Sequence, residues 1–331
     1  MTPRNWGALL GAVVALGTSV VVAERKEFVE AAARLENARQ LVELRRAENA
    51  PFELVAHCAA PGLTGAVGQE CSYRLVWASP DDWREETVIG AYVLHRGARN
   101  GTGWRLPARG ARPLGADLVA ELLDVSGALR LREGQEVGKV ELSRVGADRI
   151  VEIELRRDGY EGSIYLDDTS GLPAGVLGGG LQHAYSAWKP FAASEYPRRL
   201  RLRLGAETLI EATVVTLERL EVAELSIFEP PTGAEPWTPC DELAEPELVS
   251  RVNPDYPEGV RLQRKQGVVM LGCLIDTLGV PHRVTVVRSS GHRQLDAAAA
   301  AALVMWRFKP AQCQGEAVDI GYSLTVTFAL R

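Results

Sequence analysis

The sequence lacks the short motifs that identify most hydrolases and nucleotide-binding enzymes. It contains no GxSxG, HExxH or P-loop pattern and no Gly-rich dinucleotide fingerprint. Its histidines are few and scattered, without a carboxylate or cysteine partner at a useful spacing: His57, His95, His183, His282 and His292. The sequence therefore predicts a protein that is not an enzyme and that needs no cofactor or metal.

Two local clusters resemble chemical sites without the context that such sites need. Asp167-Asp168 stand before Thr-Ser-Gly in a turn-like sequence, so we interpret them as a solvated cap rather than an acid–base pair. Gly178-Gly179-Gly180 have no strand-to-helix context, so we interpret them as a flexible segment rather than a phosphate site.

A dense basic patch is also missing. The chain has a formal charge of −6, and residues 252–331 hold nine Lys/Arg and six Asp/Glu, so this region carries +3 and the remainder −9. Nucleic-acid surfaces need a far denser cluster of cations, and we therefore exclude a nucleic-acid partner. The mild positive balance favours a neutral-to-acidic peptide as the partner of residues 252–331.

No cysteines have the CxxC spacing of a metal site, and five cysteines fit an oxidising compartment. Cys58 and Cys71 bracket a Gly-rich loop, and a disulfide there would stabilise the fold by roughly 3 kcal/mol. Cys273 and Cys313 form a second candidate pair if the loop that holds Cys313 returns to the end of the strand that holds Cys273. Cys240 competes for Cys313, and the sequence leaves that choice open.

The N-terminus predicts export from the cytoplasm. Residues 6–23 form an eighteen-residue run without a charge, and Val21-Val22-Ala23 before Glu24 resembles a signal-peptidase site. The run is also just long enough to cross a bilayer. We predict that residues 1–23 are either a cleaved signal peptide or a retained membrane anchor.

Residues 24–50 predict an amphipathic helix. Five apolar residues have the spacing of one helical face: Phe28, Ala32, Leu35, Ala38 and Val42. We interpret this helix as a solvated connection that leads out of the membrane.

Residues 51–224 predict a β-rich antiparallel domain, because strand-like runs follow one another through short Gly, Asp and Pro turns. The predicted strands include Thr87–His95 and Leu129–Arg132, and the one predicted helix is Ala116–Leu123. Residues 225–251 contain five prolines and predict an extended linker. As far as Val252, such a chain reaches at most about 87 Å.

Residues 252–331 contain a regular series of elements. A uniformly apolar run at 268–275 predicts a central strand, and a turn ending at Gly279 leads to a second strand. Leu295, Ala299, Ala302 and Trp306 then fall on one face of a helix. The last strand alternates small or hydroxylated residues with apolar ones: Ile320, Tyr322, Leu324, Val326, Phe328 and Leu330. The sequence thus predicts an α+β protein that ends in a ββαβ unit.

The same residues resemble the C-terminal domain of the TonB energy transducer family. The shared features, in order, are Tyr256-Pro257, the strand from Gly267, Ile275-Asp276 with Gly279, Ser289-Ser290-Gly291, Leu295-Asp296, Trp306-Arg307-Phe308, Pro310-Ala311 and Gly315. In that family the domain lies in the periplasm of Gram-negative bacteria. It binds an N-terminal peptide of an outer-membrane transporter by adding the peptide as a strand to a sheet edge.

The resemblance implies a recognition edge and two kinds of partner. The implied partner-binding residues are Tyr256, Pro257, Ile320, Tyr322, Leu324, Val326 and Phe328, with contact made mostly through the backbone. The transporter peptide is the first partner, and the proton-motive-force motor proteins of the inner membrane are the second. TonB anchors carry a Ser and a His on one helix face, whereas Ser19 here has no histidine companion in residues 1–23.

The middle region is similar to the LolA-type periplasmic lipoprotein carriers, which are curved open sheets closed by a helix. The letters that carry this resemblance are Trp77-Ala-Ser-Pro-Asp-Asp-Trp-Arg84, Tyr196-Pro197 and Phe228-Glu-Pro-Pro231. It implies a concave apolar sheet that holds a lipid. We thus expect a TonB-like transducer component. The alternative is a periplasmic lipid-binding or adaptor protein that uses the TonB-like module for docking.

Overall fold

A computed structural model describes residues 29–61, 70–109, 113–131, 134–145, 148–157, 160–221, 224–238 and 243–330. Most of these residues lie in β-strands, and the helices are few and short. The predicted signal or anchor, residues 1–23, lies outside the described residues. Within the described ranges, no helix has both the length and the apolar character needed to cross a membrane.

The largest element is an antiparallel sheet of thirteen strands. They are β1 Phe52–Ala59, β2 Glu70–Ser79, β3 Asp82–Ile89, β4 Tyr92–Arg99, β5 Thr102–Arg109, β6 Glu136–Val145, β7 Asp148–Arg157, β8 Tyr160–Asp167, β9 Pro173–Gly178, β10 Leu181–Phe191, β11 Ser194–Leu204, β12 Glu207–Arg219 and β13 Glu235–Pro236.

Two meanders build this large sheet. Its order is β13-β5-β4-β3-β2-β1-β12-β11-β10-β9-β8-β7-β6, so β1 and β12 join the meanders at the centre and β13 is added at one edge. Strand β1 shows the underlying pattern, because Phe52, Leu54, Ala56 and Cys58 alternate as its buried residues. The antiparallel character that the sequence predicted for the middle region is therefore present.

Helices cover the apolar face of the large sheet. Helix α1 comprises the described helical residues 29–42, and the shorter helices α2 (Leu118–Leu123) and α3 (Val125–Ala128) lie between β5 and β6. The buried residues of α1 are Ala31, Leu35, Ala38 and Val42, which belong to the same core as β1. The interpretation of this helix as a solvated connection is wrong, since burying a leucine or valine stabilises a fold by roughly 1.5–3 kcal/mol. Ala31 rather than Ala32 lies on the buried face.

Two of the predicted strands are also wrong. The stretch Thr87–His95 contains the end of β3, a turn at Gly90 (φ 57°) and the start of β4. The stretch Leu129–Arg132 begins at the C-terminal cap of α3. Asp124 starts this helix by accepting a hydrogen bond of 3.0 Å from the Gly127 amide, so the local polar contact overrides the strand propensity of the leucines.

The remaining strands belong to smaller sheets. They are β14 Leu243–Ala244, β15 Glu247–Ser250, β16 Gly267–Ile275, β17 Pro281–Arg288, β18 Arg307–Lys309, β19 Ala311–Cys313, β20 Glu316–Val318 and β21 Ile320–Phe328. Helices α4 (Glu258–Leu262) and α5 (Arg293–Val304) complete this part of the chain. Three short strands thus separate α5 from the last long strand.

Strand β16 is central in the order β17-β16-β21, which confirms its predicted position. Val269, Leu271, Cys273 and Ile275 point into a core shared with α5, whereas Leu274 belongs to the core of the large sheet. The uniformly apolar sequence of β16 follows from this arrangement, because both of its faces are buried.

The described part of residues 225–251 does not form an extended linker. Phe228 is fully buried, and its carbonyl accepts a 3.1 Å hydrogen bond from the Trp104 indole. Strand β13 pairs with β5, β14 pairs with β19, and β15 pairs with β18. This segment therefore connects the large sheet to the C-terminal part through paired strands.

Candidate functional site: the edge of the C-terminal sheet

Strand β21 forms one edge of its three-stranded sheet. It pairs with β16 without a bulge from Ile320↔Ile275 to Phe328↔Gly267, and no other described strand pairs with it. The opposite edge, β17, has two irregularities in its register with β16. Of the two edges, β21 is thus the long regular one to which another strand could be added.

The apolar residues of β21 point into the C-terminal core. Tyr322 packs edge-on against Phe308, with ring centroids 5.6 Å apart, and Val326 and Phe328 are buried. Ile320 and Leu324 pack against the same core. Because these side chains face α5, a strand added to this edge would meet mainly backbone groups. The assignment of these five residues to partner binding remains a prediction.

Tyr256 and Pro257 support the Phe328 end of β21. The Tyr256 ring packs edge-on against Phe328 at 5.4 Å, and its hydroxyl donates a hydrogen bond to the Lys265 carbonyl. Pro257 is the N-terminal cap residue of α4, with extended backbone angles. Both residues have a structural task here, and their predicted contact with a partner is untested.

The second face of β21 lies against the large sheet at a close contact of glycines. A Cβ atom on Gly179 would lie 2.6 Å from the Gly321 carbonyl oxygen, and one on Gly180 would lie 3.0 Å from the Gly272 Cα. We call these four residues the glycine contact. The interpretation of Gly178–Gly180 as a flexible segment misses this role, which exists only once β16 and β21 are placed beside the β9–β10 turn.

Polar contacts also hold the C-terminal sheet close to the large sheet. Arg105 on β5 binds Glu316 through two hydrogen bonds of 2.6 and 2.7 Å. Arg283 pairs with Glu207 at 2.5 Å, and the Asp319 carboxylate accepts a 3.0 Å hydrogen bond from the Gly115 amide. The C-terminal sheet is therefore held to the large sheet at several separate points.

Asp296 fixes the start of helix α5. Its carboxylate accepts hydrogen bonds of 2.6 Å from the Ser289 hydroxyl and of 2.9 and 2.7 Å from the Ser290 amide and hydroxyl. Burial opposes the charge of Asp296, but these hydrogen bonds together hold its pKa below the usual range. The Ser-Ser-Gly and Leu-Asp motifs of the sequence thus form one hydrogen-bonded unit that ties the segment before α5 to its first turn.

Other motif residues also stabilise the fold. The Trp306 indole donates a 2.8 Å hydrogen bond to the Val252 carbonyl, and the Phe308 amide donates to the Gly279 carbonyl at 2.9 Å. Gly279 has φ of 76°, and a Cβ there would lie 1.7 Å from the Phe308 carbonyl oxygen. A side chain cannot be accommodated at this turn.

One of the two predicted disulfide bonds is present and the other is not. Cys58 and Cys71 are joined by a disulfide between directly paired residues of β1 and β2. Cys273 is a free, buried thiol, so the predicted Cys273–Cys313 bond is wrong. Cys313 is disulfide-bonded, and the competing candidate Cys240 lies outside the described residues. Cys273 is unavailable because it points into the core beneath α5.

A cleft of about 1740 Å³ opens between the large sheet and the start of β21. Residues of β4 and of β10, six places apart in the sheet order, both line it, so the sheet is curved. Arg96 donates a 2.5 Å hydrogen bond to Glu85, which also accepts one of 3.0 Å from the Tyr73 hydroxyl. Burial raises the pKa of Tyr73 well above its ordinary value. The residues that line the cleft come from positions 43 to 323, so no local motif could indicate the cleft.

Nine carboxylates and four arginines line the described wall of the cleft, a formal balance of −5. The lining is thus mixed, whereas the resemblance to the LolA-type carriers implies a mainly apolar surface. Trp77, Trp83 and Tyr92 contribute the apolar portion of the lining.

The remaining polar clusters are structural. Asp167 accepts hydrogen bonds from Ser170 and Thr169 in a turn, and Asp168 pairs with Arg34 at 3.1 Å and Arg149 at 2.8 Å. In the described part of the chain, no group of three or more His, Cys, Asp or Glu side chains is placed to hold a metal ion.

Comparison with protein families matches residues 252–330 to the family described as Gram-negative bacterial TonB protein C-terminal. This match confirms the predicted resemblance of the region. Among solved structures, the chain is similar to the C-terminal domain of TonB from Pseudomonas aeruginosa, at 22% identity over 26% of this chain and 88% of that chain, with a TM-score of 0.24.

Two further structures match the larger part of the chain. A LolA superfamily protein from Nitrosomonas europaea is 12% identical over 60% of this chain and 97% of that chain, with a TM-score of 0.41. MucB is 14% identical over 69% of this chain and 72% of that chain, with a TM-score of 0.26. A LolA superfamily structure is thus among the matches, as the resemblance of the middle region predicts. No curated protein matches the chain in sequence.

Proposed function

We propose that the protein captures a short extended peptide of an outer-membrane transporter by adding it as a strand to β21. The observation that carries this proposal is the regular nine-residue ladder of β21, whose second edge no described strand occupies. The family match of residues 252–330 supports the same mode of binding. Capture is non-catalytic, because the edge contributes hydrogen bonds and shape but no reacting group.

Backbone pairing suits a transducer that must bind and release. Each hydrogen bond contributes a net ~0.5–1.5 kcal/mol, so a few pairs give a modest and reversible affinity. The cores on both faces of β16 keep the edge rigid before the peptide arrives, which lowers the ordering cost of binding.

The test places a proline in the edge strand. Successive amides of an edge strand point alternately toward the neighbouring strand and away from it. One of the two variants Leu324→Pro and Thr325→Pro removes an amide that points outward. That variant should remain folded and should no longer bind overlapping peptides from the transporter N-terminus. Circular dichroism identifies the folded variant, and calorimetry measures its affinity. An unchanged affinity in that variant would falsify strand addition at β21.

We further propose that residues 1–23 keep the chain in the inner membrane, with the remainder in the periplasm, where motor proteins could engage the anchor. Intact-mass measurement and membrane fractionation in a Gram-negative host test this. A retained N-terminus in the inner-membrane fraction agrees with energy coupling. Soluble periplasmic protein that has lost residues 1–23 would instead make the chain an adaptor.

A lipid-binding carrier is the second candidate function. The cleft has the size for a ligand, at about 1740 Å³, and its lining combines apolar side chains with charged ones. Native mass spectrometry of the full chain purified without detergent tests the alternative. A stoichiometric lipid adduct, absent from a Leu181→Glu variant at the cleft wall, would favour the carrier.

A further inference from the structure

The free edge of β21 opens into the cleft at its Ile320 end. Four consecutive residues, Ile320 to Ser323, line the cleft. Alternate side chains of a strand point to opposite faces, so a cavity that touches four successive residues touches the backbone edge itself. The part of a peptide that pairs with residues 320–323 would therefore lie in the cleft, in which the large sheet forms the opposite wall.

The cleft has room for such a strand. A strand residue fills about 160 Å³, given a rise of about 3.3 Å, a strand spacing of about 4.8 Å and a sheet depth of about 10 Å. The part of a peptide that pairs with the four cleft-lining residues of β21 therefore needs about 640 Å³, which the cleft volume of about 1740 Å³ accommodates.

Carboxylates gather at the Ile320 end of the edge. This acidic end consists of Glu235, Glu245, Glu316 and Asp319, all of which line the cleft. Glu235 lies opposite Arg105 in the backbone register of β13 and β5, and Arg105 binds Glu316, so Glu235 and Glu316 come together from separate parts of the chain. Arg105 is held by Glu316, whereas the Glu235 side chain has no ion-pair partner among the described residues, so Glu235 supplies the available negative charge at this end.

Cations gather at the Phe328 end. This basic end consists of Arg261, Arg264 and Lys265, which are exposed and form no ion pair with any described residue. It lies beside Phe328, because Tyr256 contacts both Phe328 and the Lys265 carbonyl. The two ends of β21 are about 26 Å apart, well beyond the Debye length of about 8 Å, so each selects charge separately.

We propose that β21 selects a bipolar peptide, with basic residues beside Ile320 and acidic residues beside Phe328. The large sheet and Glu235 thereby take part in recognition, through a charge that an isolated C-terminal sheet would lack. This replaces the neutral-to-acidic peptide that the composition of residues 252–331 favours. The inference rests on the proposed strand addition, and charge complementarity names the occupant.

The probes are synthetic peptides with one uncharged core, Thr-Val-Thr-Val-Thr. One has three Lys before the core and three Glu after it, the second has these blocks exchanged, and the third has Glu on both sides. We expect at least one bipolar peptide to bind the full chain at least fivefold more tightly than the all-Glu peptide at low salt. A nitroxide at its Lys end should broaden the amide signals of Asp319 and Ile320 rather than those of Gly267 and Phe328.

A matched pair of variants tests the acidic end. Glu235→Lys reverses a cleft charge whose side chain has no hydrogen-bond or ion-pair partner among the described residues, and Glu221→Lys makes the same change at an exposed site outside the cleft. We expect Glu235→Lys to weaken the bipolar peptide about fivefold and Glu221→Lys to leave its affinity unchanged.

The outcomes separate the two proposals. In one outcome, a β21 proline abolishes binding, but the affinity does not depend on peptide charge or the Lys end lies beside Phe328. This result overturns the bipolar inference and keeps strand addition. Strand addition is overturned if peptides still bind the variant in which proline removes the outward amide. It is also overturned if no peptide binds, neither the synthetic ones nor the overlapping peptides from the transporter N-terminus. The bipolar inference falls with strand addition in both of those cases.

Discussion

Replacing Gly179 by alanine tests whether the C-terminal sheet is fixed to the large sheet. Gly179 has φ of 58°, and its new Cβ would lie 2.6 Å from the Gly321 carbonyl oxygen, a backbone atom that can move only if β21 moves. The left-handed conformation costs roughly 1–2 kcal/mol for a residue with a Cβ. Overpacking adds roughly 1–3 kcal/mol, so we expect a total loss of about 2–5 kcal/mol.

Gly291→Ala is the matched control. Gly291 has φ of 83°, and nothing lies within 4 Å of the position of its Cβ, so only the conformational cost of roughly 1–2 kcal/mol should appear. The additional loss in Gly179→Ala therefore measures the glycine contact. If the clash exceeds the free energy that holds the two sheets together, they will separate instead of straining.

Urea unfolding and hydrogen exchange distinguish these cases. We expect Gly179→Ala to lower the unfolding free energy by more than Gly291→Ala, and to speed amide exchange at residues 320–323 while β1 remains protected. Equal losses in the two variants, with unchanged exchange at residues 320–323, would refute the close packing of β21 on the large sheet.

Three further predictions concern titrating and sulfur-containing residues. The pKa of Asp296 is lowered in the folded state, so its contribution to the unfolding free energy is complete above about pH 4 and is lost as the pH falls through the folded pKa. Asp296→Asn should lower the unfolding free energy by about 1.5–3 kcal/mol at pH 7. In unfolding measurements at decreasing pH, the stabilities of this variant and the parent should converge. Cys58→Ala/Cys71→Ala should cost about 3 kcal/mol in urea unfolding, and a loss below about 1 kcal/mol would contradict the stabilising role of this bond. Burial raises the pKa of the Cys273 thiol to about 12, so alkylation at pH 8 should require unfolding, and rapid labelling of the native protein would show that the strand is accessible.

The local sequence pattern was sufficient to predict features that depend on a single strand or helix. The alternation of β21, the uniformly apolar β16 and the apolar face of α5 each depend on neighbours within a few residues, and all three could be predicted. The cleft could not, because Glu85 and Arg96 on the large sheet line the same cavity as Asp319 only after the chain has folded. The same reason explains Cys273: its position on β16 predicts burial, whereas its failure to pair depends on where the loop with Cys313 lies.

The prolines of residues 225–251 show how composition can mislead about mechanics. Five prolines suggest a spacer, yet the described residues on either side of Pro239 and Cys240 pair with β5 in the large sheet and with β18 and β19 in the C-terminal part. Proline is tolerated there because these strands are short and lie at sheet edges. Force applied to a peptide on β21 would therefore pass into the large sheet through the glycine contact and the Arg105–Glu316 pair before it reached the N-terminal helix. A C-terminal sheet fixed by these contacts would transmit that force, whereas a freely tethered one would not.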